Sequence, residues 1–424
     1  MIKQKLELFF QDLDYDGAAV SFIDNKKVKV FGVFPNERAI IFITSKKKNE
    51  YQGIPLEIVE PTPFRVKQSE DHYLSCSPWQ VIQYDYQLEL KKYILKKIFE
   101  LDDIEIVRSP KIWGYRTKME FSFFLDQNIN LAFFKRGTYK AKYKLQNGCL
   151  LASKPMNDFA IKIVECLRNS LLPLQGDQKI LKGIIVRESK TCNQIISSLF
   201  VKTNDFYIQP NLKSNEGFFI FYSNPLSPAF TFDQKIFSAG VESLTEKIDN
   251  LKISYGIRSF FQNNIDLFLE ALNDIKKGIG EGGKVLELYC GVGTIGLFLS
   301  SISKQVVGVE INEEACDFAK MNAYQNGIRN FNVLNVGVEK MDENLFENVD
   351  VLVVDPPRSG LDQKIIKYVV KYLPKKIVYL SCNPLTQFRD FKDLSNCYRI
   401  EFFKFYDFYP QTPHIESLLI LVKK

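Results

Sequence analysis

The sequence predicts an α/β protein in three parts. A small β-barrel spans residues 1–62, a central α+β domain 63–255, and a doubly wound domain with a parallel sheet 256–424. Three observations predict this. Short alternating strands separated by turn residues fill the start of the chain. A glycine-rich strand-to-helix turn, Val285-Leu286-Glu287-Leu288-Tyr289-Cys290-Gly291-Val292-Gly293-Thr294-Ile295-Gly296, opens the last part. After it, apolar strands ending in polar residues alternate with helices.

The early strands read as Ala18–Ile23, Val28–Phe31 and Ala39–Ile43, divided by Asp24-Asn25-Lys26 and Pro35-Asn36. The run Lys46-Lys47-Lys48 at their end is a solvated loop or a phosphate contact. The stretches Asp14-Tyr15-Asp16-Gly17-Ala18-Ala19 and Phe34-Pro35-Asn36-Glu37-Arg38 resemble the TRAM domain, an RNA-binding barrel of the OB-like kind. Pro61 and Pro63 mark the boundary that follows. A charged helix from about Gln87 to Phe99 comes next, with its Lys pairs on the exposed side, and it is expected to pack on the last domain. Trp113-Gly114-Tyr115-Arg116-Thr117-Lys118 mixes aromatic and basic side chains. That mixture suits stacking on unpaired bases and pairing with phosphates, and it suits an ordinary strand entry as well. One clear helix, Pro155 to about Leu171, lies among the strands that run to Ser254.

In the last part, Ser259-Phe260-Phe261-Gln262-Asn263-Asn264 leads into a helix through Leu272. Gly291, Gly293 and Gly296 form G-x-G-x-x-G, which lets backbone N–H groups approach a ligand. The next strand, Val306–Val309, ends at Glu310, placed to bind two ribose hydroxyls. A nucleoside cofactor is expected. The glycines alone fit NAD, S-adenosylmethionine or a tight turn without a ligand. Later strands end in Asp355-Pro356-Pro357-Arg358 and Ser381-Cys382-Asn383-Pro384.

Composition narrows the classes. The net charge of +6 over 424 residues permits nucleic-acid binding without demanding it. No apolar run reaches transmembrane length and the start lacks a signal-peptide core, so a cytoplasmic protein is expected; a monomer is expected as well. The eight Cys contain no C-x-x-C pair and read as reduced. Two His argue against a histidine-based metal site, so no metal is expected.

The motifs Gly114-Tyr115-Arg116, Phe260-Phe261-Gln262, the glycine loop, Asp355-Pro356-Pro357-Arg358, Ser381-Cys382-Asn383-Pro384 and Thr412-Pro413-His414-Ile415-Glu416 come in an order that resembles the RNA uracil-C5 methyltransferases. The resemblance runs nearly end to end and implies a Rossmann-like methyltransferase domain. It implies S-adenosylmethionine on Gln262, Tyr289, Gly291, Gly293, Thr294, Glu310 and Asp355. It implies Cys382 as nucleophile and Glu416 as base, with Asp355 and Arg358 beside the reacting base. The implied partner is RNA, with 23S ribosomal RNA preferred to tRNA because a TRAM-like barrel is typical of that branch.

The chemistry asks for the same residue types. Uracil C5 is a weak nucleophile until a thiolate adds at C6, and a base must then remove the C5 proton. Cys290 also ends a strand but reads as packing, and His414 as an orienting or structural residue. Several relatives carry a four-cysteine iron–sulfur site. Its positions here hold Glu70, Cys76, Trp79 and Cys149, so no iron–sulfur cluster is expected. Two other classes stay open. One is an amino-methyltransferase, which would want an aromatic residue where Arg358 stands. The other is a non-catalytic RNA-binding or assembly factor.

Overall fold

A computed structural model describes residues 5–47, 49–101, 103–138, 140–171 and 177–424, so Lys48 of the basic run and the first four residues lie outside the described residues. The first sheet has six strands in the order Lys5–Phe10, Glu37–Lys46, Glu50–Glu60, Lys26–Val30, Ala19–Ile23 and Asp12–Leu13. Its two outer strands are joined through Gln11, whose N–H donates to Val20 O at 3.4 Å, and this closes the sheet into a barrel. In Glu37–Lys46 the alternation is regular: every second residue from Glu37 to Ile43 is buried.

The central sheet has seven strands, ordered Lys142–Lys144, Ile129–Phe134, Lys118–Leu125, Leu181–Glu188, Ile195–Val201, Glu216–Tyr222 and Gln234–Gly240. The helix Lys154–Leu171 covers one face.

The third sheet runs Phe331–Asn335, Ser303–Glu310, Gly282–Leu288, Val351–Val354, Lys376–Ser381, Glu416–Lys423, Tyr398–Tyr406 and Ile106–Val107. The first five strands are parallel, so their carboxyl ends share one edge. Glu416–Lys423 enters antiparallel beside Lys376–Ser381, with Ser381 opposite Ser417. Its amino end therefore lies at that same edge. The edge strand Ile106–Val107 comes from within the segment read as the central domain, so the chain visits the third sheet before the central sheet begins at Lys118. The helix Ile265–Ile279 runs past Leu272 and stops at Gly280, where φ is +67°. Among the described residues no helix is long and apolar enough to cross a membrane.

The helix Tyr84–Phe99 packs on the helix Pro384–Leu394, with the Phe99 and Phe388 ring centroids 5.0 Å apart. One of its lysines departs from expectation. Lys91 does not face solvent but is 1% exposed and paired with Asp407, itself fully buried. Lys91 sits in register with buried Gln87, Ile94, Leu95 and Ile98, which form one helical stripe. Asp407 also accepts from the Tyr84 hydroxyl at 2.8 Å. A lone buried charge is costly, so Lys91→Met should destabilise the protein by about 3–5 kcal/mol, read as a fall in the urea midpoint. Lys91→Met with Asp407→Asn should recover most of that loss. Equal stability of the single and double variants would show that the ion pair is not what the helix contributes.

Candidate active site

Four strand ends build the site. After Gly282–Leu288 the chain turns sharply through Tyr289 at φ +62° and Gly291 at φ +54°. A Cβ on Gly291 would meet nothing within 4 Å, so the loop faces open space. Gly296 is fixed for another reason: its N–H donates to Glu287 Oε2 at 2.9 Å, and a Cβ there would lie 2.3 Å from that oxygen. Burial pushes Glu287 up to about 8. Gly293 adopts φ +84° and caps the short helix that starts at Thr294, which is buried. Glu310 accepts from Gly291 N at 2.9 Å and Asn312 N at 2.8 Å, which aims its carboxylate at the loop. Next to it Ile311 is 68% exposed, an apolar side chain left at the rim. Cys290 is buried against Gly308, as packing requires.

Asp355 follows Val351–Val354 and accepts from Gln262 Nε2 at 3.3 Å. Burial pushes its carboxyl up to about 7, against the pull of that amide. Cys382 sits between Ser381 and the helix Pro384–Leu394, half-buried. The turn is held by Asn383, whose N–H donates to Ser381 Oγ at 3.1 Å and whose Nδ2 donates to Arg358 O at 2.7 Å. That second bond ties the Cys382 turn to the Asp355–Arg358 turn. Glu416 begins the antiparallel strand and is 1% exposed. Burial first, then Asp355, push its carboxyl far above the ordinary value, while the Tyr409 hydroxyl and Arg358 pull it down.

The Cys382 thiol feels both carboxyls. Burial, then Glu416 and Asp355, push it up to about 11, and the Arg358 guanidinium opposes them. His414 is the reverse case. Burial and the cations Arg358, Lys91, Arg116 and Arg136 push it down to about 3, so it is a neutral imidazole.

Unmet polar atoms gather here. Of eight buried side-chain N or O atoms without a partner among the described residues, five surround this edge: Arg116 Nε, Arg187 Nε, Gln262 Oε1, Asn263 Oδ1 and Glu416 Oε2. Each costs about 1–3 kcal/mol unless a ligand or a water supplies its partner. A cleft of about 800 Å³ opens beside them. It is lined by Arg116, Lys118, Arg136, Arg187, Arg258 and Arg358, with Phe31, Phe133 and Phe260 among them. A second hollow of about 410 Å³ holds Cys382 and shares Arg358 and His414 with the cleft.

The structure thus brings Gln262, Tyr289, Gly291, Gly293, Thr294, Glu310, Asp355, Arg358, Cys382 and Glu416 to one edge of the third sheet. It redistributes the aromatic–basic motif. Tyr115 is buried, its hydroxyl donating to Pro410 O at 3.2 Å, so it is no stacking platform. Arg116 does line the cleft, and Phe260, 63% exposed, offers the free ring. Sequence reasoning missed Glu287, Tyr409 and Lys91. Only Lys91 left a trace, its place on the apolar stripe of its helix.

The positions read as a lost iron–sulfur site separate in space. Trp79 turns away, packing on Phe34 and donating from Nε1 to Gly17 O at 3.2 Å. Glu70, Cys76 and Cys149 stay together, joined by His72. Two thiolates do not suit a cluster that takes four.

A family model described as tRNA (Uracil-5-)-methyltransferase matches residues 241–424. An uncharacterized RNA methyltransferase of Caldanaerobacter subterraneus subsp. tengcongensis is 28% identical, over 97% of this chain and 97% of its own. A tRNA (uracil(54)-C(5))-methyltransferase of Pyrococcus horikoshii is 29% identical over 92% of this chain and 94% of its own. Among solved structures, the Pyrococcus abyssi tRNA (uracil-54, C5)-methyltransferase in complex with S-adenosyl-L-homocysteine matches with a TM-score of 0.80. It is 24% identical and covers 98% of this chain and 100% of its own, so the likeness is one of fold.

The charges around Cys382 make opposite forecasts for two neighbours. In the protein without RNA, alkylation of Cys382 by iodoacetamide, followed by peptide mass spectrometry, should rise with pH toward a midpoint near 11. Arg358→Gln removes a cation and should move the midpoint up. Glu416→Gln removes an anion and should move it down. An ordinary thiol midpoint, unmoved by either substitution, would show that these groups do not surround Cys382.

Proposed function

We propose, from the premise that residues 241–424 belong to the tRNA (Uracil-5-)-methyltransferase family, that the chain transfers a methyl group from S-adenosylmethionine to C5 of a uridine in RNA. One observation carries the reading. A half-buried thiol and a buried carboxyl with an unpartnered oxygen stand at the ends of adjacent strands, on the edge that carries the glycine loop.

The residues present fit the cofactor. Glu310 is a fixed carboxylate for the ribose hydroxyls, and Gly291 leaves room for the ligand. Exposed Ile311 offers an apolar surface for a purine face. Gln262 Oε1 is an acceptor still without a donor. Bound there, S-adenosylmethionine supplies an electrophilic methyl group on sulfur. Glu310→Ala should weaken its binding by about 1–3 kcal/mol in calorimetry; unchanged affinity would move the cofactor elsewhere.

Cys382 acts on the uracil. Its thiol proton must leave before the sulfur bonds to C6, and Asp355, held near 7, can take it near neutrality. The electron pair of the C5–C6 bond moves toward O4 and makes C5 nucleophilic. Arg358 favours the thiolate over the thiol. Once C5 carries the methyl group, Glu416, its own proton first released to solvent, takes the C5 proton. The C–H pair restores the ring double bond and Cys382 leaves as thiolate. A carboxyl with a raised pKa is a stronger acceptor once ionised. The target base must leave any stack to reach Cys382, and the arginine-rich cleft with Phe260 suits the strand around it.

The barrel does not choose between RNAs. The fold of the Pyrococcus abyssi tRNA enzyme covers 98% of this chain, barrel included, so the preference for ribosomal RNA loses its ground. Ribosomal RNA and tRNA are both proposed as substrates. Mapping 5-methyluridine in a strain lacking the protein decides between them.

The covalent cycle is tested by trapping. Cys382→Ala should abolish methylation and form no adduct. Glu416→Gln can add to C6 and move the methyl, then stalls, so a slow RNA–protein band that needs S-adenosylmethionine should appear on a denaturing gel. Wild-type turnover by Glu416→Gln assigns the base elsewhere, and a band that survives Cys382→Ala assigns the nucleophile elsewhere.

A further inference from the structure

Away from the methyl-transfer edge, four metal-binding side chains meet at the seam between the linker after the barrel and the central sheet. Glu70, His72, Cys76 and Cys149 each offer one ligand atom, and these atoms all lie within 4.8 Å of one another. His72 Nδ1 is 3.3 Å from Cys76 Sγ and His72 Nε2 is 3.3 Å from Glu70 Oε1. Cys149 Sγ is 4.0 Å from Glu70 Oε2. In a tetrahedral site with zinc bonds of about 2.0–2.3 Å, ligand atoms stand roughly 3.3–3.8 Å apart. A metal takes one imidazole nitrogen and one oxygen of Glu70, so with the four ligand atoms within 4.8 Å of one another the set must close by up to about 1 Å.

We propose that Glu70, His72, Cys76 and Cys149 bind one zinc ion. The donor set selects the metal. Two thiols and an imidazole are too soft for magnesium or calcium and suit zinc. Two thiols are too few for a four-thiolate cluster. On binding, both thiols lose their protons to solvent and the imidazole binds through one nitrogen. No electrons change hands.

The surroundings hold the ligands as a built site would. Glu70 accepts from Leu150 N at 2.7 Å on Oε1 and from Gln80 Nε2 at 3.4 Å on Oε2. The Cys149 backbone is gripped at both ends by Asn157, which accepts from its N–H at 3.0 Å and donates to its carbonyl at 2.9 Å. The Cys76 sulfur has the Ser77 hydroxyl at 3.0 Å, and the His72 ring stands edge-on to Phe133 at 5.3 Å between centroids. Such partners orient the ligands. The ion would tie residues 70–76 to residue 149 and brace the wall of the cleft, which Cys76 and Phe133 both line.

The test is metal content of the full-length protein, purified without a histidine tag from zinc-supplemented cells. About one zinc per chain is expected, released by a thiol-blocking mercurial. Cys76→Ser and His72→Ala should each lower zinc at least tenfold, while Cys382→Ala keeps it. Because Cys149 is buried, Cys149→Ser is read only if it folds. Cobalt loaded into the wild type should give the near-ultraviolet band of thiolate–cobalt bonds, weakened in Cys76→Ser. No bound zinc and no cobalt band overturns the proposal. So does zinc that survives both Cys76→Ser and His72→Ala, and so does stoichiometric iron with sulfide.

Discussion

The site depends on how one loop, residues 407–415, is held. It joins the last two antiparallel strands and delivers Glu416 to the edge where Cys382 stands. Every other part of the chain grips it. Asp407 is bound by Lys91 and Tyr84, and Lys91 also donates to Tyr409 O at 3.2 Å. Gln87 and Gln411 bond twice, side chain to side chain at 2.8 Å and Gln411 N–H to Gln87 Oε1 at 2.9 Å. Trp79 N–H donates to Gln411 O at 3.1 Å. The barrel arrives through Gly17, where a Cβ would lie 2.1 Å from Pro413 Cβ. These groups are buried and mutually satisfied, so displacing the loop would leave several polar groups unpaired together. The barrel and the linker helix therefore position the Glu416 carboxyl as well as forming surface.

Packing and charge pull in different directions at the edge. Placing Asp355, Cys382 and Glu416 at neighbouring strand ends puts three potential anions in one poorly hydrated volume. They cannot all be charged there, so burial holds protons on them. Arg358 is the cation that both the thiol and Glu416 feel, and Asn383 anchors its backbone. The resting site is thus a store of protons. Charging the thiol requires relocating one of them, which couples activation of Cys382 to the state of its neighbouring carboxyls.

Much of this edge was legible in the sequence because it is local. A strand ending in a polar residue shows as an apolar run and a break, so Glu310, Asp355 and Cys382 were placed at strand ends. The helix Glu313–Gln325 begins at a local signal of the same kind, the cap Asn312, which accepts from Ala315 N at 3.0 Å. What escaped is non-local. Nothing near Glu416 says that its strand slips between two others, yet the Ser381–Ser417 register is what brings it to Cys382. Lys91 looked like half of a surface Lys pair because its partner lies more than three hundred residues away. His72 was not singled out because two His in a chain argue against a histidine-based site, and Glu70, Cys76 and Cys149 gather around it only in the fold.

His414 shows what the positive wall of the cleft does to a neighbouring side chain. The cations that suit phosphates also surround this imidazole and, with burial, keep it neutral. Its ring stands edge-on to Tyr409, 6.1 Å between centroids, and Tyr409 in turn favours ionised Glu416. A neutral imidazole can both donate and accept a hydrogen bond, whereas an imidazolium only donates. At the mouth shared by the cleft and the Cys382 hollow, a neutral ring can meet either kind of atom on a base edge without adding another cation. The arginines thus do two jobs with one field. They present a positive face to the cleft, and they keep His414 uncharged.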